Sequence, residues 1–164
     1  FPGMHLVTYP LRPTSKGHVH ITSLDAEAPP QLVTNYRDTE RDRAAMIGAV
    51  KMARKFAQQA PISEYIECET MPGPAYDSDE KILEAYDKFG TCGYHAVGSC
   101  RMGKDDASVV DPKLKVRGVE NLRIMDTSIM PAIPSGNTNG PTMAMAWRAA
   151  DLSIADAKTP ERVV

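Results

Sequence analysis

The chain has 164 residues, 42% of them hydrophobic and 24% charged, enough for one domain with a real core. A formal charge of −2 gives no electrostatic reason to expect nucleic acid or an anionic membrane as partner. No window reaches the roughly 18 apolar residues that would span a bilayer, and no signal-peptide pattern opens the sequence.

The first elements in chain order are β-rich. "MHLVTY" at 4–9 and "HVHITS" at 18–23, joined by a Pro/Ser/Lys/Gly turn region, predict neighbouring antiparallel strands. "DAEAPPQLVTNY" reads as a proline-interrupted loop. His18 and His20 would fall on one face of their strand, but a third ligand is not evident, so no metal is expected there. Cys68, Cys92 and Cys100 are odd in number and lack CxxC spacing, which argues against a zinc site or a disulfide framework and for reduced thiols in a cytoplasmic setting.

From Thr39 the pattern turns helical. Thr39 and Asp42 resemble a capping pair, and Met46, Val50, Ala53 and Ala57 form one apolar stripe on a helix ending near Gln59. Arg41, Arg43, Lys51, Arg54 and Lys55 make the other side cationic, read as a solvated face rather than a binding patch. "PISEYIECETMPGPAYD" is an irregular crossover. A second helix is predicted to start at Asp77 or Ser78, to bury Ile82, Tyr86 and Phe89, and to end with Gly90 at the C′ position.

Beyond Gly90 the texture tightens. "YHAVGSCRMG" sets His95 among glycines and small residues, where the backbone can approach something closely. An isolated histidine is more often structural than catalytic, but an imidazole suits proton transfer near neutral pH. A turn at "VDPKLKVRG" leads to a β-rich run, "NLRIMDTS", and then to "PSGNTNGPT", where Pro141 lies near the first position of a last helix striped by Met143, Trp147, Ala150 and Ile154. Strand, polar turn and helix outline one unit of an α/β sheet. A helix start presents unpaired amides and partial positive charge, and Asp126 falls where open α/β sheets bind cofactors. On spacing alone, a long loop before a capped helix is the favoured reading. Asn137 could bind a substrate oxygen without competing for its proton.

Taken in order, "YHAVGSCRMG", "VVDPKLKVRGVENLRIMDTSIMP" and "SGNTNGPTMAMAWRAADL" resemble the C-terminal signature of the glucose–methanol–choline (GMC) oxidoreductases, nearly continuously from about residue 91 to 157. "RPTSKGHVHITSLDAEAPPQLVTNY" is a weaker match to that family's substrate-domain hairpin. The resemblance implies an FAD flavoprotein that oxidises an alcohol, choline dehydrogenase-like. It makes His95 the base that takes the hydroxyl proton while hydride leaves for flavin N5, and Asn137 the second active-site residue, hydrogen-bonded to the substrate oxygen. It sets Tyr94 beside the flavin ring and Asp126 with Thr127 at the ribityl–pyrophosphate portion. Thr138 and Asn139 meet the pyrimidine side, and Pro141 with Thr142 opens the helix behind it.

The expected fold class is α/β with an α+β substrate part. Residues 1–90 form an antiparallel substrate-domain portion, and 91–164 return to a Rossmann-like FAD-binding domain as its last strand and helix. The GxGxxG that grips the ADP part of FAD is missing. The sequence is therefore read as the C-terminal part of a larger polypeptide, its partners a small-molecule alcohol and an N-terminal FAD-binding portion in the same or another chain. A hydroxynitrile lyase of the same fold, with the flavin redox-silent, and a non-catalytic fragment are the competing readings.

Overall fold

Thr39 begins the longest element of the first half, as its residue type predicts. Its side chain accepts the Asp42 amide at 3.2 Å and opens helix α1, Glu40–Ala57. Asp42 does not return the bond to Thr39. Its buried carboxylate instead accepts the amides of Thr14 and Ser15, at 2.9 and 2.6 Å, together with both hydroxyls. The helix start is thereby tied to a segment 28 residues upstream.

The computed structural model describes residues 3–158, which divide into two compact units between Gly93 and Tyr94. In the first unit, β1 (His18–His20) pairs antiparallel with β2 (Gln31–Val33), His18 opposite Val33 and His20 opposite Gln31. This corrects two expectations: 4–9 forms no strand, and the stretch read as a loop supplies the partner. Strands need a ladder, and Gln-Leu-Val after two prolines provides it where "MHLVTY" does not.

Helix α2, Asp79–Phe89, starts at Ser78, whose side chain accepts the Lys81 amide. Ile82 is 0% exposed and Ala85 is buried, whereas Phe89 stays 38% exposed, edge-on to Tyr76. Gly90 caps the helix with φ −65°, not in a left-handed C′ conformation; a Cβ there would collide with the Tyr86 carbonyl, so close approach is what requires glycine. The two helices pack together, and the Tyr86 hydroxyl donates to the Met46 carbonyl at 3.2 Å.

The cations of α1 have mostly structural partners. Arg54 grips Glu69 through two bonds of 2.9 and 2.8 Å and also donates to the Tyr76 carbonyl, pinning the crossover that contains the 3₁₀ turn Ile62–Tyr65. Lys51 pairs with Asp79, and Arg43 donates to the carbonyls of Arg37 and Asp38.

The second unit is built around Val110, Leu114, Ile129 and Ala149, with Met102, Val116, Ile124 and Met145 packed against them. Its β structure consists of isolated bridges, Met102 with Val110, Val110 with Val116 and Lys115 with Arg123. "NLRIMDTS" therefore carries one bridge where a last strand was expected, and it ends in a 3₁₀ turn, Thr127–Ile129. An extended run without a continuous partner makes no ladder. Helix α3 spans Asn139–Ala157 with Thr138 as its cap residue, which puts Pro141 at the third helical position. There its missing N–H still costs no intrahelical bond. The expected stripe is exposed: Met143 65%, Trp147 78%, Ile154 53%. The buried contact is Ala149. Asp156, near the helix end, pairs with Lys115 and Arg123 and ties α3 to the bridged loop.

Candidate functional site

The site begins with a backbone irregularity. Tyr94 has φ 57°, the left-handed region that a bulky residue adopts at a cost of about 1 kcal/mol or more, and its side chain is 85% exposed. His95 follows, half-buried. Three residues on, Gly98 has φ +90°, and a Cβ on it would lie 3.4 Å from the Met130 carbonyl oxygen. Glycine is required there by conformation, and it lets the loop lie close to residues 128–130.

Two backbone hydrogen bonds fix that closeness. The Cys100 amide donates to the Ser128 carbonyl at 3.0 Å, and the Met102 amide to the Ile129 carbonyl at 2.9 Å. Within the loop Arg101 N–H turns back to the Gly98 carbonyl at 3.2 Å, and the Arg101 guanidinium pairs with Asp105. The Arg101 bond holds Asp105 down at about 2, so this pair stays charged at any working pH.

Residues 128–130 are themselves shaped by Asp126. Its exposed carboxylate accepts the Ser128 amide at 2.7 Å and caps the 3₁₀ turn, of which Thr127 is the first residue. The histidine loop and the Asp126–Thr127 turn, joined by a bond between residues 28 positions apart, are thus one hydrogen-bonded assembly. Ser128, which no motif singled out, is its centre through both backbone groups; the signal was a D-x-S spacing, the pattern of a side chain capping the amide two residues on.

From Met130 the chain runs through a polar turn into α3. Asn137 is exposed, Thr138 is 8% exposed, Asn139 and Pro141 are exposed, and Thr142 is half-buried. The Thr142 hydroxyl donates to the Thr138 carbonyl at 2.6 Å. No side chain caps α3, and the first amides of a helix have no partner within it. Among the described residues no cluster of three or more His, Cys, Asp or Glu could hold a metal ion, and Cys68, Cys92 and Cys100 form no disulfide. Likewise, no described helix is long and apolar enough to cross a membrane.

Comparison with known proteins identifies a family. A family model described as GMC oxidoreductase matches residues 13–146. An alcohol dehydrogenase (acceptor) of Pseudomonas putida is 40% identical over 144 residues, which cover 88% of this chain and 26% of that protein. An oxygen-dependent choline dehydrogenase of Staphylococcus saprophyticus is 41% identical over 146 residues, covering 87% and 26%. Among solved structures, pyridoxine 4-oxidase from Mesorbium loti superposes with a TM-score of 0.81 at 28% identity, over 88% of this chain and 28% of that one. A formate oxidase of Aspergillus oryzae, in a structure concerned with FAD modification, has a TM-score of 0.81 at 28% identity, over 87% and 25%. The chain thus spans about a quarter of the length of the relatives it matches.

Proposed function

The chain belongs to the GMC oxidoreductase family, and on that basis we propose that it carries the base and the second polar residue of an FAD-dependent alcohol oxidation. The observation that carries the reading is the strained, closely fitted loop around His95, bonded to the Asp126–Thr127 turn. Strain in a bulky residue beside an imidazole is the kind of feature that functional sites retain. Relatives named alcohol dehydrogenase and choline dehydrogenase support the CH–OH donor class.

In this reading the neutral His95 imidazole takes the hydroxyl proton of a small alcohol. Asn137 donates to the alcohol oxygen as negative charge builds there. Bound FAD supplies the redox chemistry, accepting hydride at N5. Tyr94 borders the ring, and Asp126 with Thr127 lies toward the ribityl–pyrophosphate portion. Thr138 and Asn139, at the start of α3 that Pro141 and Thr142 open, meet the pyrimidine side. The residues fit such a group on one count above all: a 19-residue helix whose first amides have no side-chain cap suits an edge that gains negative charge on reduction.

Residues 1–90 are assigned to a substrate-binding portion and 91–164 to the FAD-binding domain of the assembled enzyme. The remaining flavin site comes from an N-terminal portion in the same or another chain. Reduced thiols suit a cytoplasmic enzyme.

The test is flavin reduction by alcohols under anaerobic conditions, in enzyme assembled from this chain and a flavin-binding portion. His95→Ala should slow reduction by roughly 10²–10⁴-fold, as for loss of a general base. Asn137→Ala should slow it less, with the loss mainly in kcat. Reduction by the His95→Ala enzyme at the wild-type rate would remove the assignment.

A further inference from the structure

We propose that Asp126 is a positioning residue for His95, acting through a relay of backbone hydrogen bonds. The proposal rests on His95 being the base, but the relay is a property of this chain alone.

The relay has three links, each a named atom pair. The Asp126 carboxylate accepts the Ser128 amide at 2.7 Å and fixes the 3₁₀ turn Thr127–Ile129. That turn aims the carbonyls of Ser128 and Ile129 at the Cys100 and Met102 amides, at 3.0 and 2.9 Å. Gly98, at φ +90° and with only 3.4 Å between a Cβ built on it and the Met130 carbonyl oxygen, closes the loop against the same three residues. His95 sits three residues before that glycine, directly after the left-handed Tyr94. The two receiving carbonyls therefore hold the loop that carries the imidazole.

A carboxylate suits the first link because an ionised acceptor makes a shorter and stronger bond to an amide than a neutral one does. Asp126 is exposed, so the positioning role is compatible with a place in the cofactor site. Removing the carboxylate leaves the Ser128 amide to water and loosens the start of the turn, while Ile129 at its end stays in the buried cluster with Val110, Leu114 and Ala149.

The experiment is amide hydrogen exchange by NMR on the complete chain without flavin, with the His95 ring Cε1–H signal followed in the same samples. In Asp126→Ala, the Cys100 and Met102 amides should exchange at least tenfold faster and the His95 ring signal should shift. The amides of Val116 and Arg117, bonded to the Leu122 and Val109 carbonyls, should keep wild-type rates. Asp126→Asn keeps an acceptor oxygen and should restore both readouts to near wild type. Wild-type exchange at Cys100 and Met102 in Asp126→Ala, or an unmoved His95 signal, overturns the proposal. So does acceleration that extends equally to Val116 and Arg117, since Asp126 would then stabilise the unit generally. None of these readouts needs flavin. An assembled His95→Ala enzyme of normal rate would therefore remove the catalytic reading alone, and an unchanged exchange pattern the positioning role alone.

Discussion

A carboxylate withdrawn from water must be met by donors, and Asp42, 4% exposed, is met by the amides and hydroxyls of Thr14 and Ser15. Burial pushes its pKa up, but the hydrogen bonds from Ser15 and Thr14 outweigh burial and bring it to about 2. The folded value lies below the unfolded one of about 3.9, so the stabilisation is complete above that value and is lost as pH falls toward 2. The linkage is worth roughly 2 kcal/mol. Denaturant unfolding of the wild type should therefore show falling stability between about pH 4 and 2, and Asp42→Ala should start lower and fall less steeply across that window. Parallel profiles for the two proteins would contradict the assignment. In sequence, Asp42 is legible only as the third residue after a capping threonine, and that bond exists. Its larger role depends on residues 28 positions away, and no local pattern encodes a partner at such a distance. His95 and Asn137 are different, because short polar turns rich in glycine carry a motif recognisable without any long-range contact.

Elements that cap themselves were read from sequence with small error. Thr39 and Ser78 start α1 and α2 as their side chains dictate, and α3 starts at Asn139, two residues before the expected start at Pro141. Strands were not legible in the same way. "MHLVTY" and "NLRIMDTS" have strand composition, yet one stays irregular and the other makes a single bridge, while Gln31–Val33 pairs despite the prolines before it. A helix satisfies its own backbone, but a strand is defined by a partner that composition does not name. Helix faces lie between these cases. Period alone put Ile82, Tyr86 and Phe89 on one buried face of α2, and the structure grades them, from 0% exposure at Ile82 to 38% at Phe89. Ile82→Ala should cost about 2–5 kcal/mol, as for a fully buried aliphatic side chain. Phe89→Ala should cost clearly less, although phenylalanine is the larger residue. Chemical denaturation of the two variants checks the order, and a reversed order would mean that the edge contact with Tyr76 contributes more than burial does.

At the scale of the whole molecule, the proposed flavin site is a matter of how much of it one chain can supply. This chain aligns over about a quarter of its relatives' length, and it holds the His95 loop, the Asp126 turn and the start of α3 but no GxGxxG. In the proposed reading these parts supply donors and a base for one portion of a flavin. The ADP portion, which in dinucleotide folds is gripped by a glycine-rich turn at a helix N-terminus, has no counterpart here. Affinity for a two-ended ligand falls steeply when one end is unbound, because the cost of immobilising the ligand is met once whether or not both ends are held. Incubated with FAD and passed through gel filtration, the chain by itself should emerge without flavin absorbance. Together with a GxGxxG-bearing portion of a GMC relative it should retain flavin, and retention should weaken when Thr138 and Asn139 are both replaced by alanine, while the His95→Ala assembly keeps its flavin and loses rate instead. That contrast separates the residues proposed to hold the cofactor from the one proposed to move the proton. Tight flavin retention by the chain alone would mean that these three segments suffice, and the requirement for a second portion would fall.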